Sequence, residues 1–402
     1  MPELITPEQH RAEVSALNRE IYLLSKRLED ADRNGKAPEA QDPFRNPTEY
    51  HESRTDYSRI MPDIALMRGE MPLDPDAVEK KNLKRAYAVG GGCMLAHFII
   101  TDYIASAFMI AIMIIIKKMN PDADANVIST YIRSSSILAG IMLIVYLMSN
   151  VGFAYIGMRI NKDDCRDFVR TRDFTFAKGV QYCLIGIFFL FVSTITAYFI
   201  EVMFSQFGHT TRVMETDGIG VSDIGKVVML TYTCVIAPVT EEIFFRGMLL
   251  KAFGKANQRF AVFFTALMFG LAHANIPQFV LTFLLGIFLA HITLKHGSLI
   301  PAILVHFFVN TFSTVMSESG FEGNALIIAN ELFILFALLG GVMLIVFRTT
   351  DKLPATAPAQ TRRGMGLAMA TPIVLLSVIL QTLYLLSFIF STPMLDLIRN
   401  YL

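Results

Sequence analysis

The 402-residue chain has no tryptophan, four cysteines and few charges: 17% of its residues are Asp, Glu, Lys or Arg. The cysteines, Cys93, Cys165, Cys183 and Cys234, are scattered without CxxC spacing, which excludes a disulfide framework and a thiolate metal site. Without tryptophan, an interfacial aromatic belt falls to tyrosines near the ends of apolar runs, such as Tyr87, Tyr155 and Tyr198. The 35 basic and 35 acidic residues cancel, which argues against a nucleic-acid partner. The first 85 residues are polar and hold no short apolar segment followed by a cleavage site, so a cleaved secretory signal is not expected and the first span serves as the anchor. What is abundant is apolar sequence. Hydrophobic residues make up 53% and the mean hydropathy is +0.48. They are bunched in long runs, the pattern of an all-α polytopic membrane protein in contact with a lipid bilayer.

Spans are expected near 86–116, 132–158, 179–204, 226–245, 260–275, 277–295, 299–316, 327–347 and 370–391. That makes nine, or eight or seven if the crowded stretch 226–316 holds helices too short to cross. Such helices belong around a cavity. The implied organisation is a short amphipathic helix at 1–35, a polar linker at 36–75, N-terminal spans at 76–225, a core at 226–316 and C-terminal spans at 317–402. In the arm, Thr6-Pro7-Glu8-Gln9 reads as a cap, and Val14, Leu17, Ile21, Leu24 and Leu28 follow a coiled-coil seam before Asn34-Gly35. This stripe suits a homodimer contact or docking on the protein's own membrane domain. Basic residues concentrate before the first span (Lys80, Lys81, Lys84, Arg85), between the second and third (Arg159, Lys162, Arg166, Arg170, Arg172, Lys178), and after the fourth and the eighth. This bias puts the N-terminus in the cytoplasm of a multi-pass protein, with the plasma membrane as the expected location.

One run carries charges that lipid does not tolerate without cause. Glu241, Glu242 and Arg246 lie in Ile236-Ala-Pro-Val-Thr-Glu-Glu-Ile-Phe-Phe-Arg-Gly247. An ionised group at the bilayer centre costs at least about 2.5 to 3.5 kcal/mol, and such groups face a bundle interior or a wet cavity. Glu242 and Arg246, four apart, share a helix face and suit an ion pair, which leaves Glu241 without a partner. Downstream, His273 closes an apolar run, and His306 and Asn310 are again four apart. Pro238 is expected to free the carbonyl of Cys234 and kink the helix ahead of the glutamates. The glutamates and Arg246 then fall toward the cytoplasmic end of the fourth span and His306 about 10 Å into the seventh, whereas His273 falls about 20 Å into the fifth. These depths agree if the fifth helix starts late or tilts.

Other polar residues have simpler uses. His291, Lys295 and His296 suit the C-terminus of the sixth helix, before Gly297. His97 and Asp102 lie about 140° apart on one helix and suit bonds to neighbouring helices. Phe244, Phe245, Phe307 and Phe308 suit packing, lipid contact or an apolar substrate groove. A carboxylate and two histidines could also ligate zinc, with Glu241, His273 and His306 as the ligands, but the spacing does not match HExxH. Without metal, a buried carboxylate can take a proton from water while a histidine and an amide donate hydrogen bonds to an oxyanion.

At these residues the chain resembles the CPBP family, intramembrane endopeptidases that include type II CAAX prenyl proteases together with bacteriocin-processing and bacteriocin-immunity proteins. The pattern EExxxR is met by Glu241, Glu242 and Arg246, FxxxH by Phe269 and His273, and HxxxN by His306 and Asn310. The resemblance covers roughly residues 226 to 316. It implies a bundle of eight to nine transmembrane helices with a conical catalytic cavity, hydrolysing a peptide bond near the membrane surface. It also implies that Glu241 is the base, that His273 holds the attacking water, that His306 and Asn310 stabilise the oxyanion, and that Glu242 and Arg246 position the base or the substrate's C-terminus. No cofactor is favoured, with zinc as the alternative. The expected substrate is a membrane-associated peptide or protein, a small peptide precursor above all. The rival functions are a non-proteolytic immunity or scaffold protein of the same fold and a small-solute transporter. Against the transporter, neither Gly/Pro-broken inverted repeats nor a second charged helix pair is apparent.

Overall fold

A computed structural model describes residues 75–124, 127, 128, 132, 136–163, 174–207, 223–350 and 358–390. The expected arm at 1–35 and nearly all of the linker at 36–75 lie outside the described residues, which are helical and contain no strand. We label the α-helices α1 (Pro75–Phe98), α2 (Ala105–Met119), α3 (Ser136–Asn161), α4 (Phe176–Ser205), α5 (Asp223–Thr231), α6 (Ala237–Glu242), α7 (Leu250–Gly254), α8 (Gln258–Leu271), α9 (Ile276–His296), α10 (Ile300–Glu318), α11 (Gly323–Thr350), α12 (Pro358–Met369) and α13 (Pro372–Phe390).

Several of these run together. A π-helical turn, Ile99–Ile104, joins α1 to α2, and two more, Tyr232–Ile236 and Ile243–Leu249, join α5, α6 and α7 into one rod. Among the described residues seven helices are long and apolar enough to cross a membrane: Lys80–Met119, Ala139–Asn161, Phe176–Ser205, Asp223–Gly254, Ile276–His296, Ile300–Glu318 and Gly323–Thr350. With the shorter apolar helices Gln258–Leu271 and Pro372–Ser387, they occupy the nine stretches the hydropathy pattern marks. The protein is an all-α, multi-pass integral membrane protein.

The fifth run departs from expectation. The Asn257 side chain accepts from the amide of Phe260 and starts α8 early, at Gln258. The helix stops at Leu271, so its 14 residues cover only about 21 Å, short of the roughly 30 Å hydrocarbon thickness. His273 is therefore not inside a spanning helix. It sits in the turn that follows, where Ala274 takes a left-handed φ of 53° and Asn275 caps α9 by accepting from Gln278.

Two apolar cores organise the bundle. One gathers Tyr87, Met94, Phe244, Phe245, Met248, Phe253, Phe264 and Phe269, and the other Tyr182, Ile185, Ile187, Leu285, Phe288, Val305 and Val309. Membrane helices gain little from excluding lipid, so close backbone approach matters more than in water. At Gly340 of α11 an added Cβ would lie 2.0 Å from the Leu184 carbonyl oxygen of α4, so only glycine allows that crossing. Phe244 and Phe245 are buried packing residues, while Phe307 and Phe308 are partly exposed on α10. His296 is also buried in the last turn of α9, where its Nε2 pairs with the Tyr182 hydroxyl at 2.9 Å, and Gly297, at φ 58°, caps that helix.

Candidate active site

The site forms on the rod α5–α7, whose Phe244, Phe245, Met248 and Phe253 belong to the first core. Pro238 lies in its middle and has no amide hydrogen to give. In an unbroken α-helix this would orphan the Cys234 carbonyl, as the sequence led us to expect. The preceding turn is π-helical, however, and the amide of Ala237 bonds back five residues to Tyr232. The Thr233 carbonyl also loses its helical partner, since Ala237, four residues on, is engaged and the residue five on is Pro238. Asn310 fills the gap, donating from Nδ2 to the Thr233 oxygen at 3.0 Å.

The two glutamates have different surroundings. Glu242 is fully buried, and its Oε1 accepts from Arg246 Nη1 at 2.8 Å and from His306 Nδ1 at 2.9 Å. Arg246, also buried, donates from Nη2 to the Gly286 carbonyl at 3.3 Å and lays its guanidinium on the Phe269 ring, 4.4 Å from the centroid. A side chain at 286 would bring a Cβ within 3.2 Å of Arg246 Nη2 and of Ala266, so glycine makes this reach across to α9 feasible. Glu241, by contrast, keeps 16% of its side chain exposed, and its Oε2 lies 3.8 Å from His306 Nε2. His306 thus has one ring nitrogen toward each glutamate.

His273 Nδ1 donates to the Phe269 carbonyl at 2.9 Å. A carbonyl only accepts, so this bond fixes the proton on Nδ1 of the neutral ring and leaves Nε2 as an acceptor. Phe269 meets His273 and His306 edge-on at 5.0 and 5.7 Å, and Glu241, His306 and Arg246 are electrostatic neighbours of His273. The six residues singled out by spacing are thus brought to one region by the rod, the α8–α9 turn and α10. Asn310, though, faces the rod's backbone.

Three further residues, of which only His97 was singled out by the sequence, lie beside the site. Asn150 of α3 donates from Nδ2 to Thr240 Oγ1 at 3.1 Å, and its Oδ1 accepts from His97 Nε2 at 2.8 Å. His97 does bond a neighbouring helix, as expected, but this bond leads to the residue before Glu241. The one signal was the oddity of an amide and an imidazole inside apolar runs.

An apolar cavity of about 350 Å³ lies between α4 and α10, against Phe176, Gly179, Val180, Cys183, Leu304 and Phe308. Leu304 and Phe308 sit two residues either side of His306, roughly 200° around α10, so this cavity is on the opposite face from the polar cluster. Among the described residues no group of three His, Cys, Asp or Glu side chains could hold a metal ion. Of the alternative zinc ligands Glu241, His273 and His306, the first and last lie 3.8 Å apart, Oε2 to Nε2.

Residues 223–312 match the family model described as type II CAAX prenyl endopeptidase, Rce1-like, a stretch that runs from the start of α5 past Asn310. No match is found among the curated proteins or among the solved structures. Residues 223–312 are thus similar to an Rce1-like type II CAAX prenyl endopeptidase domain, consistent with the CPBP family, whose family-level activity is that of an intramembrane endopeptidase.

Proposed function

We propose that the protein hydrolyses a peptide bond of a membrane-associated peptide or protein, with Glu241 activating water and no step through a metal. The observation that carries this reading is the division of labour between the glutamates. Glu242 is sealed and shared by Arg246 and His306, so its negative charge is committed. Glu241 is part-exposed beside His306 and so is the carboxylate that water and a substrate can reach.

The steps follow from the donors and acceptors. Water held between Glu241 and the acceptor nitrogen of His273 gives its proton to the Glu241 carboxylate as its oxygen attacks the scissile carbonyl carbon. The oxyanion that forms is met by the second N–H of Asn310, the first being engaged with Thr233, and by His306 in its doubly protonated form, which donates from Nε2 while Nδ1 stays on Glu242. As the C–N bond breaks, Glu241 passes its proton to the departing amine and returns to the carboxylate. Arg246 and His306 share the Oε1 of Glu242, which holds the His306 ring in place. The matched domain is named for enzymes that cut prenylated CAAX proteins. Our reading of this chain extends to membrane-bound peptides in general, small precursors among them.

The experiment compares the peptides released in membranes that contain the wild-type protein with those in membranes holding Glu241→Gln, which keeps the shape and removes the base. Release should fall by at least ~100-fold in the variant. It should persist in wild type under strong chelator. Peptide profiles identical between wild type and variant would end the proteolytic reading. Complete inhibition by chelator with rescue by zinc would instead favour Glu241, His273 and His306 as ligands.

A further inference from the structure

The six residues of α6 carry both glutamates, yet they are bounded at each end by a π-helical turn. A π turn advances the backbone by an extra residue, so the direction in which Glu241 points depends on where both turns are held, and the backbone of α6 does not fix it alone. Two side chains from other helices hold this stretch. Asn310 of α10 fastens the Thr233 carbonyl ahead of Pro238, and Asn150 of α3 fastens the Thr240 hydroxyl immediately before Glu241. Behind Asn150, His97 takes its carbonyl oxygen and thereby turns its amino group to Thr240, while the imidazole stacks on Phe244 at 4.9 Å. His97, Asn150 and Thr240 are all buried.

We infer that His97, Asn150 and Thr240 form a positioning relay that sets the direction of the Glu241 carboxylate, working against the second anchor made by Asn310. None of the three relay residues touches the reacting atoms. The alternative is that they are polar glue between α1, α3 and the rod, a common use of such residues in membranes. The two differ in what they predict for Glu241. Glue affects whether the helices stay together, and a relay affects where the carboxylate sits. A misplacement of about 1 Å at a reacting group can cost on the order of 100-fold in rate, so loss of a relay shows in turnover before it shows in folding.

The inference rests on the proteolytic reading for its rate prediction but not for its geometry, and the test separates the two. Thr240→Val keeps the volume and removes the hydroxyl, Thr240→Ser keeps the hydroxyl, and Asn150→Asp keeps the oxygen facing His97 while removing the amino group. In full-length protein, Thr240→Val and Asn150→Asp should slow release of the Glu241-dependent peptides by about 10- to 100-fold, and Thr240→Ser should stay close to wild type. Independently of any substrate, position 241 is probed by Glu241→Cys and a small water-soluble thiosulfonate, read by mass spectrometry of the peptide that contains it. Adding Thr240→Val or Asn150→Asp should change the reaction rate of that cysteine, and adding Thr240→Ser should not. If the cysteine reacts alike in all these backgrounds and only the melting temperature in detergent falls, the three residues are glue and the relay is overturned. If no Glu241-dependent peptide exists, the proteolytic reading fails, and the cysteine rates still decide the relay.

Discussion

Glu242 concentrates the site's electrostatics on one atom. Its Oε1 serves both Arg246 and His306, while its Oε2 is buried without a hydrogen-bond partner among the described residues. Removing one member of a buried pair leaves the other charge uncompensated, at a cost of about 3–5 kcal/mol. Arg246→Ala should therefore lower stability by that order, measured by thermal unfolding in detergent, and Arg246→Ala with Glu242→Gln should recover part of the loss. Equal melting temperatures for wild type and Arg246→Ala would show that the pair contributes nothing net. The Glu242–Arg246 bond is legible in the sequence because both partners lie on one helical turn. The bond from His306 to Glu242 spans 64 positions, and that from Asn150 to Thr240 spans 90. Spacing within a helix cannot encode such contacts, since they depend on which helix faces pack together. The same limit hid Gly286, whose use is to leave room for a guanidinium from another element.

At the scale of the element, the rod from Asp223 to Gly254 trades helical regularity for placement of the glutamates. An interior proline commonly costs ~3 kcal/mol or more in an α-helix, but here the π turn leaves the Thr233 carbonyl without a helical donor and Asn310 satisfies it. Hydropathy located the rod, and the proline foretold a disturbance. The anchoring of Thr233 did not follow, because it depends on a donor from α10. The fifth run shows a related limit: apolar residues continue to Ala272, but Asn257 and the turn at Ala274 cut the helix to 14 residues. Pro238→Ala restores an amide hydrogen that can compete with Asn310 for Thr233. The variant should fold at least as stably as wild type yet cleave more slowly, roughly 10-fold, as regular helix is gained at the expense of the active geometry. Melting temperature and peptide release measured on the same preparation check this. A variant that is both less stable and fully active would contradict it.

For the whole molecule, the match to the endopeptidase family ends at residue 312 and begins at residue 223, so the first spans and the last ones are this chain's own setting for the site. They are not passive. His97 and Asn150 come from α1 and α3, and α13 packs Val374 against Gly91 of α1, so the N-terminal spans are tied both to the rod and to the C-terminal helices. Residues 1–72 precede this assembly and carry the apolar pattern Val14, Leu17, Ile21, Leu24 and Leu28. An apolar stripe on a helix is stable only when covered, either by a second copy or by the protein's own membrane domain. Deleting residues 1–72 leaves the site residues and their partners intact, so the truncated protein should retain its melting transition. It should change in one of two measurable ways: a smaller particle in detergent by light scattering if the arm holds a dimer, or an altered set of released peptides at unchanged particle size if the arm lies over the entrance used by substrates. A truncated protein with both the same size and the same peptide profile would show that the arm has neither role.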